Sequence, residues 1–228
     1  MPPAIRRLLV AALLVLPVRA SPVPLTTCGQ VIQDRRAELT GDLDCSAAPV
    51  GAAVTLARGG RLMLNGFTLT GPDPALGDTV RCYRSCRVDG VGTIRSGNVG
   101  VHGSDESNNE DERVRIEGDV IVADANVGAR GALVRIRHAV LSTNGVGVLA
   151  SRAIVRDAYV IDSDETGISA QVVRLTNAEL LGNGRACAPA CECVDLYTYG
   201  PPLIGPNTFC GSSTNANTCM TWGVCTAD

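Results

Sequence analysis

The chain has 228 residues with 20 basic and 23 acidic side chains, and every basic residue is Arg. The absence of Lys excludes Schiff-base and general-base lysine chemistry, and a net charge of −3 excludes a nucleic-acid binder of the basic kind. Ten Cys, an even count, point to disulfides and an oxidising compartment.

Residues 1–20 place Arg6 and Arg7 before the apolar run Leu8 to Leu16, then Pro17, Val18, Arg19 and Ala20. A positive start, a short apolar core and a small residue at the end predict a secretory signal peptide cleaved near Ala20. The run is too short for a permanent bilayer helix, so no membrane span is expected after cleavage. The mature chain would have 228 − 20 = 208 residues and a formal charge of −3 − 3 = −6 once Arg6, Arg7 and Arg19 leave. It is expected to be secreted, whether extracellular, periplasmic or at the cell surface.

Residues 21–50 are expected to form an N-terminal cap and first strand, with Leu39 and Leu43 the first buried residues and Cys28 and Cys45 stapling the cap. An open solenoid end exposes unpaired strand groups and needs such a cover. Repeating rungs are expected over residues 51–186. The first clear strands fall in residues 54–71, where Leu62, Leu64, Phe67 and Leu69 are apolar and Asn65-Gly66 makes a corner; residues 88–96 repeat the design. The intervening stretch, with Pro72, Pro74, Cys82 and Cys86, reads as an excursion closed by a local bridge. Residues 103–113, GSDESNNEDER, read as a second excursion, a solvated acidic loop without the ligand offsets of a calcium site.

From residue 113 to 184 the chain says nearly the same thing four times: VRIEGDVIV, VRIRHAVLS, AIVRDAYVI and VRLTNAELL. Ile116, Ile136, Val155 and Leu175 recur at steps of 20, 19 and 20, and Gly128, Gly147 and Gly167 at steps of 19 and 20. A fixed period of this length marks a solenoid. Val114, Val134, Ala153 and Val173 form a second apolar column two residues away, the alternation of a strand with one buried face. Ile121, Leu141, Val160 and Leu180 form a third column, followed by a polar corner at Asp124, Asn144, Ser163 and Asn183; Ala129, Val148 and Ile168 form the last column. Three short strands and three corners per roughly 20 residues describe a rung of a parallel β-helix. Ankyrin and leucine-rich readings fail for want of their leucines or helical patterns. His138 falls at a corner beside Gly118, Asp157 and Asn177 of neighbouring rungs and reads as a polar corner residue.

Residues 187–228 drop the period and are rich in Cys, Pro, Gly and Thr, so Cys187, Cys191, Cys193, Cys210, Cys219 and Cys225 are expected to hold a closing cap by disulfides, with Trp222 covering the last rung or stacking on a sugar. A metal site at Cys187, Cys191 and Cys193 is disfavoured, because no C-x-x-C pair is present and His102 and His138 are distant in sequence.

The segments LTGDLDC at residues 39–45, RLMLNGFTLTG at 61–71, the rung repeats and TWGVC at 221–225 together resemble the exported, bacterial-type pectin-lyase-like right-handed β-helix proteins. The resemblance implies an all-β fold, a single-stranded right-handed parallel β-helix with disulfide-rich end caps. It covers the mature chain but does not carry an activity, since that superfamily includes lyases, hydrolases, epimerases, adhesins and proteins without an assigned reaction. The galacturonan-hydrolase pattern has only a faint echo in Val101-His102-Gly103 and Arg135-Ile136-Arg137, with no Asp-Asp or Asn-Thr-Asp pair to serve as acid and base. The pectate-lyase pattern needs an Arg base beside a calcium-holding acidic stack, whereas Asp162, Asp164 and Glu165 lie in one rung. No G-x-S-x-G is present. No catalytic residues, metal or cofactor are assigned.

The outward positions of the first repeat strand are rich in Arg: Arg115, Arg135, Ile154 and Arg174 in one column, and Glu117, Arg137, Arg156 and Thr176 in the next. Arg95 is expected at the equivalent place one rung earlier. Guanidinium groups pair with planar carboxylates and sulfates, so an acidic polysaccharide is the partner such a patch suits; alternatively, Arg is simply the soluble outer residue of a chain without Lys. Three functions follow: a non-catalytic exported β-helix, structural or binding an acidic polysaccharide; a polysaccharide lyase or glycoside hydrolase on uronate polymers; or a surface adhesion or assembly module. The sequence sets no oligomeric state.

Overall fold

The computed structural model describes residues 21–33, 36–48, 51–57, 59–104, 112–184 and 195–211. The signal-peptide, acidic-loop and Trp222 expectations, and those for Cys187, Cys191, Cys193, Cys219 and Cys225, lie outside these. Among the described residues every element is a β-strand. Strand β1 (Val23–Leu25) leads into a first coil of β2 (Gln30–Ile32), β3 (Arg36–Leu39) and β4 (Leu43–Asp44). The second coil is β5 (Val54–Leu56), β6 (Gly60–Met63) and β7 (Thr68–Thr70), and the third is β8 (Val80–Tyr83), β9 (Ser85–Asp89) and β10 (Gly92–Arg95). In the fourth, β11 (Val99–Ser104) is followed by β12 (Arg113–Ala123). Strands β13 (Val127–Ser142), β14 (Val146–Ile161) and β15 (Thr166–Leu181) each run through a whole coil, and β16 (Leu196–Thr198), β17 (Leu203–Ile204) and β18 (Phe209–Gly211) make the last.

All pairing is parallel and falls into three ladders, so the chain is a parallel β-solenoid with three faces. The first face joins β2, β5, β8, β11, the starts of β13 to β15, and β16. The second joins β1, β3, β6, β9, the middles of the long strands, and β17. The third joins β4, β7, β10, the ends of the long strands, and β18. Each face sends one alternating set inward. Val54, Val80, Val101, Ala129, Val148, Ile168 and Leu196 stack on the first face, and Leu62, Val88, Ile116, Ile136, Val155 and Leu175 on the second. Leu69, Ile94, Val122, Leu141, Val160 and Leu180 complete the buried core on the third.

Two corners are built from left-handed residues. Asp119, His138, Asp157 and Asn177 turn the chain from the second face to the third with φ of 55, 50, 50 and 50°. Ser96, Asp124, Thr143 and Asp162 turn it from the third to the next first face with φ of 66, 58, 51 and 58°. Asp, Asn and His are among the side chains that tolerate this region best. Just after the second corner an inward polar column fills the gap. The Asn144 amide accepts from Ala125 N at 3.1 Å and donates to Val122 O at 3.0 Å. Asn183, in the same column two coils later, repeats this, accepting from Ser163 N at 2.9 Å and donating to Val160 O at 2.9 Å.

Several expectations are corrected by this register. The coil of β12 contains an extra residue, with a register shift between Glu117 and Val120; consequently Val122 occupies the inward column and Ile121 is 40% exposed. Ala125, rather than Asp124, aligns with Asn144, and Asp119, rather than Gly118, aligns with His138. Cys82 and Cys86 close no excursion: both lie in strands of the third coil, and their disulfide joins its first and second faces inside the core. Cys28 and Cys45 are bonded as expected, but β2, β3 and β4 already pair in register with the next coil. Toward the C-terminus the coil geometry outlasts the sequence period, since residues 196–211 still pair on all three faces. Cys210 is disulfide-bonded.

Candidate functional site

The outward side of the second face carries a file of arginines in register: Arg36, Arg61, Arg87, Arg115 and Arg135, then Ile154, then Arg174. A second file two residues on reads Glu38, Met63, Asp89, Glu117, Arg137, Arg156 and Thr176. Adjacent members are one rung, about 4.8 Å, apart. Arg115, Arg135, Arg137, Arg156 and Arg174 are thus brought together as expected. Arg95 is not: it lies on the outer side of the third face, paired with Ala123 and Thr70, and its Nε meets Asp124 Oδ2 at 2.6 Å. The place expected for it belongs to Arg87. The signal was present, because Cys86-Arg87-Val88-Asp89-Gly90 has the alternation of Val114-Arg115-Ile116-Glu117-Gly118.

The two ends of this face differ electrostatically. In the early coils Asp89, buried at 4% exposure, lies 2.7 Å from Arg61 Nε and 2.6 Å from Arg87 Nε, and Arg87 Nη2 also meets Glu117 at 2.9 Å. Neither Nε–H points along the line to the carboxylate, so charge rather than a directed hydrogen bond holds Asp89. In the later coils Arg115, Arg135, Arg137, Arg156 and Arg174 are exposed, and none has an ion-pair partner among the described residues. Alongside them, at the corner between first and second faces, a groove of about 530 Å³ is lined by Arg113, Ser151, Arg152, Gln171 and Val172. Arg152 extends the cationic surface into it.

On the other flank, the left-handed corner borders a groove of about 510 Å³. Its polar wall is the file Asp119, His138, Asp157, Asn177 and Asn207; its opposite wall is the outward file of the third face, with Ile121, Tyr159, Glu179 and Phe209. Asn177 Nδ2 donates to Asp157 Oδ1 at 2.6 Å, and His138 Nε2 stands 3.7 Å from Asp157 Oδ2. His138 is thus a polar corner residue, as expected, and also lines this groove. The wall residues come one per coil and carry no local motif, so no stretch of sequence announces them.

On the first face Asp78, 2% exposed, ties two coils together. Its Oδ2 accepts from Arg81 Nε at 2.9 Å and Nη2 at 2.8 Å, and lies 2.9 Å from His102 Nδ1. Burial would push the Asp78 carboxyl up, but the hydrogen bonds and charges of His102 and Arg81 outweigh it and hold it below the usual carboxylate range. An ionised carboxylate only accepts, so the His102 Nδ1–H is the donor in this contact. Asp195 is the opposite case: burial raises its carboxyl despite the amide donors of Asn183.

No group of three or more His, Cys, Asp or Glu able to hold a metal occurs among the described residues, and no helix there is long and apolar enough to cross a membrane. No protein-family model, curated protein or solved structure matches the chain.

Proposed function

We propose that this is an exported, non-catalytic right-handed parallel β-helix of the pectin-lyase-like kind that binds an acidic polysaccharide along its second face. Right-handed coiling is supported by the strong right-handed preference of parallel crossovers, and export by the two disulfides between described cysteines. The observation that carries the binding reading is the set of five exposed arginines, in register on adjacent rungs, with no carboxylate partner among the described residues. An unneutralised cationic strip on a chain of net charge −3 concentrates positive potential in one place. A polymer bearing one carboxylate or sulfate per sugar can meet it repeatedly, and Arg152 gives the chain a second lane.

The test is binding of the purified mature protein to polygalacturonate and to a sulfated glycan over a salt series. Affinity is expected to fall as salt rises. Arg135→Ala with Arg156→Ala should weaken it by about 2- to 30-fold, from about 0.2–1 kcal/mol per exposed charge pair, with an unchanged melting temperature. Salt-insensitive binding, or equal affinity of the double variant, contradicts the arginine site. New reducing ends or unsaturated uronates contradict the non-catalytic reading.

A further inference from the structure

We infer that the groove between the second and third faces is a separate carbohydrate site, and that it takes a neutral polysaccharide chain lying along the solenoid axis. Charge separates it from the arginine strip. Asp119, Asp157 and Glu179 line it and, among the described residues, no Arg does, so a polyanion is repelled where a hydroxyl-rich neutral chain finds acceptors. Carboxylates have several acceptor lone pairs and suit adjacent hydroxyl donors. Asp157 is held in place to receive them, because Asn177 fixes its Oδ1 at 2.6 Å and leaves Oδ2 beside His138 Nε2. The 3.7 Å between them is too long for a hydrogen bond, and a sugar hydroxyl seated above both could donate to one and engage the other.

The opposite wall supplies the apolar contact that a pyranose face needs. Tyr159 is 46% exposed and Phe209 47%, and through Tyr159↔Glu179↔Phe209 they stand two rungs apart in one file, about 9.6 Å at the rung spacing. Ile121, 40% exposed, lies two rungs to the other side of Tyr159. Apolar platforms thus recur on alternate coils, with the polar file running parallel to them. A volume of about 510 Å³ is within the range of ligand sites and open along the axis. Flat aromatic rings exposed beside fixed polar groups are costly to leave in water and serve as anchors when covered.

This inference does not depend on the arginine reading, and one experiment separates the two. The intact mature protein is titrated with neutral β-linked hexasaccharides (cello-, xylo-, manno- and laminari-), at low and high salt. At least one should bind with an affinity that salt leaves unchanged. Tyr159→Ala with Phe209→Ala should weaken it about tenfold or more, and Asp157→Asn should weaken it measurably, while Arg135→Ala with Arg156→Ala has no effect. All these side chains point outward, and melting curves matching the unsubstituted protein confirm folding. Silence across the panel, binding that survives loss of both aromatics, or binding that fades with salt overturns the inference without touching the acidic-glycan reading. Self-association abolished by Tyr159→Ala also overturns it, by giving the groove to a second copy.

Discussion

Asp78 shows how much one buried charge decides in this fold. It gathers donors from Arg81 on the strand that follows it and from His102 on the next coil, so removing it leaves the Arg81 guanidinium and the His102 Nδ1–H without their acceptor. Because the folded-state carboxyl is held below its ordinary value, its stabilisation is fully present above that ordinary value, about 3.9, and is lost as pH falls through the folded one. Asp78→Asn should therefore cost about 1–3 kcal/mol at neutral pH, and the difference from the unsubstituted protein should shrink in acid. Paired melting curves from neutral pH to below the ordinary Asp value check this; a constant difference across the range refutes the charge argument. The echo Val101-His102-Gly103 hinted at His102 in the sequence, but its partner 24 positions earlier could be found only once the coils were in register.

At the scale of the coil, space at the corners matters as much as apolar alternation. Gly128, Gly147 and Gly167 recur because a Cβ has nowhere to go. At Gly147 it would stand 2.6 Å from Val160 Cγ1 and 3.1 Å from Ser163 Oγ, inside the inward polar column. Gly147→Ala should destabilise by about 1–3 kcal/mol through overpacking, whereas Gly41→Ala, which meets nothing within 4 Å, should be neutral; equal denaturant midpoints for the two would contradict the packing account. These glycines were legible as a period, as were the columns headed by Ile116 and Val114, because three successive coils keep nearly one length. What was not legible traces to small departures from that length. One extra residue near Gly118 moved Val122 into the place expected for Ile121. The stretch holding Cys82 and Cys86 reads as an excursion because Tyr83, Arg84 and Ser85 form a connection one residue longer than that of later coils, where only Ala132 and Leu133 separate the matching Gly131 and Val134, and that misplacement carried Arg95 to the wrong face.

Across the whole molecule, stability in a solenoid is a sum over neighbouring coils, and an end coil has one neighbour where a middle coil has two. Here the inequality is reinforced by strand length. Strands β13, β14 and β15 are each 16 residues long, while the first coil offers strands of 3, 4 and 2 residues. The Cys28–Cys45 bond brackets that weak coil, with its partners separated by 17 positions. A loop of this size is worth about 3 kcal/mol by restricting the unfolded chain. Because coils couple mainly to their neighbours, the loss should stay local. Cys28→Ser with Cys45→Ser should speed amide exchange in residues 30–44, with a smaller effect in the second coil and almost none in residues 127–181. Hydrogen exchange read segment by segment checks this. Uniform acceleration along the chain would mean that the molecule opens as a single cooperative unit, and the first coil would then be part of the core it covers rather than a stapled end.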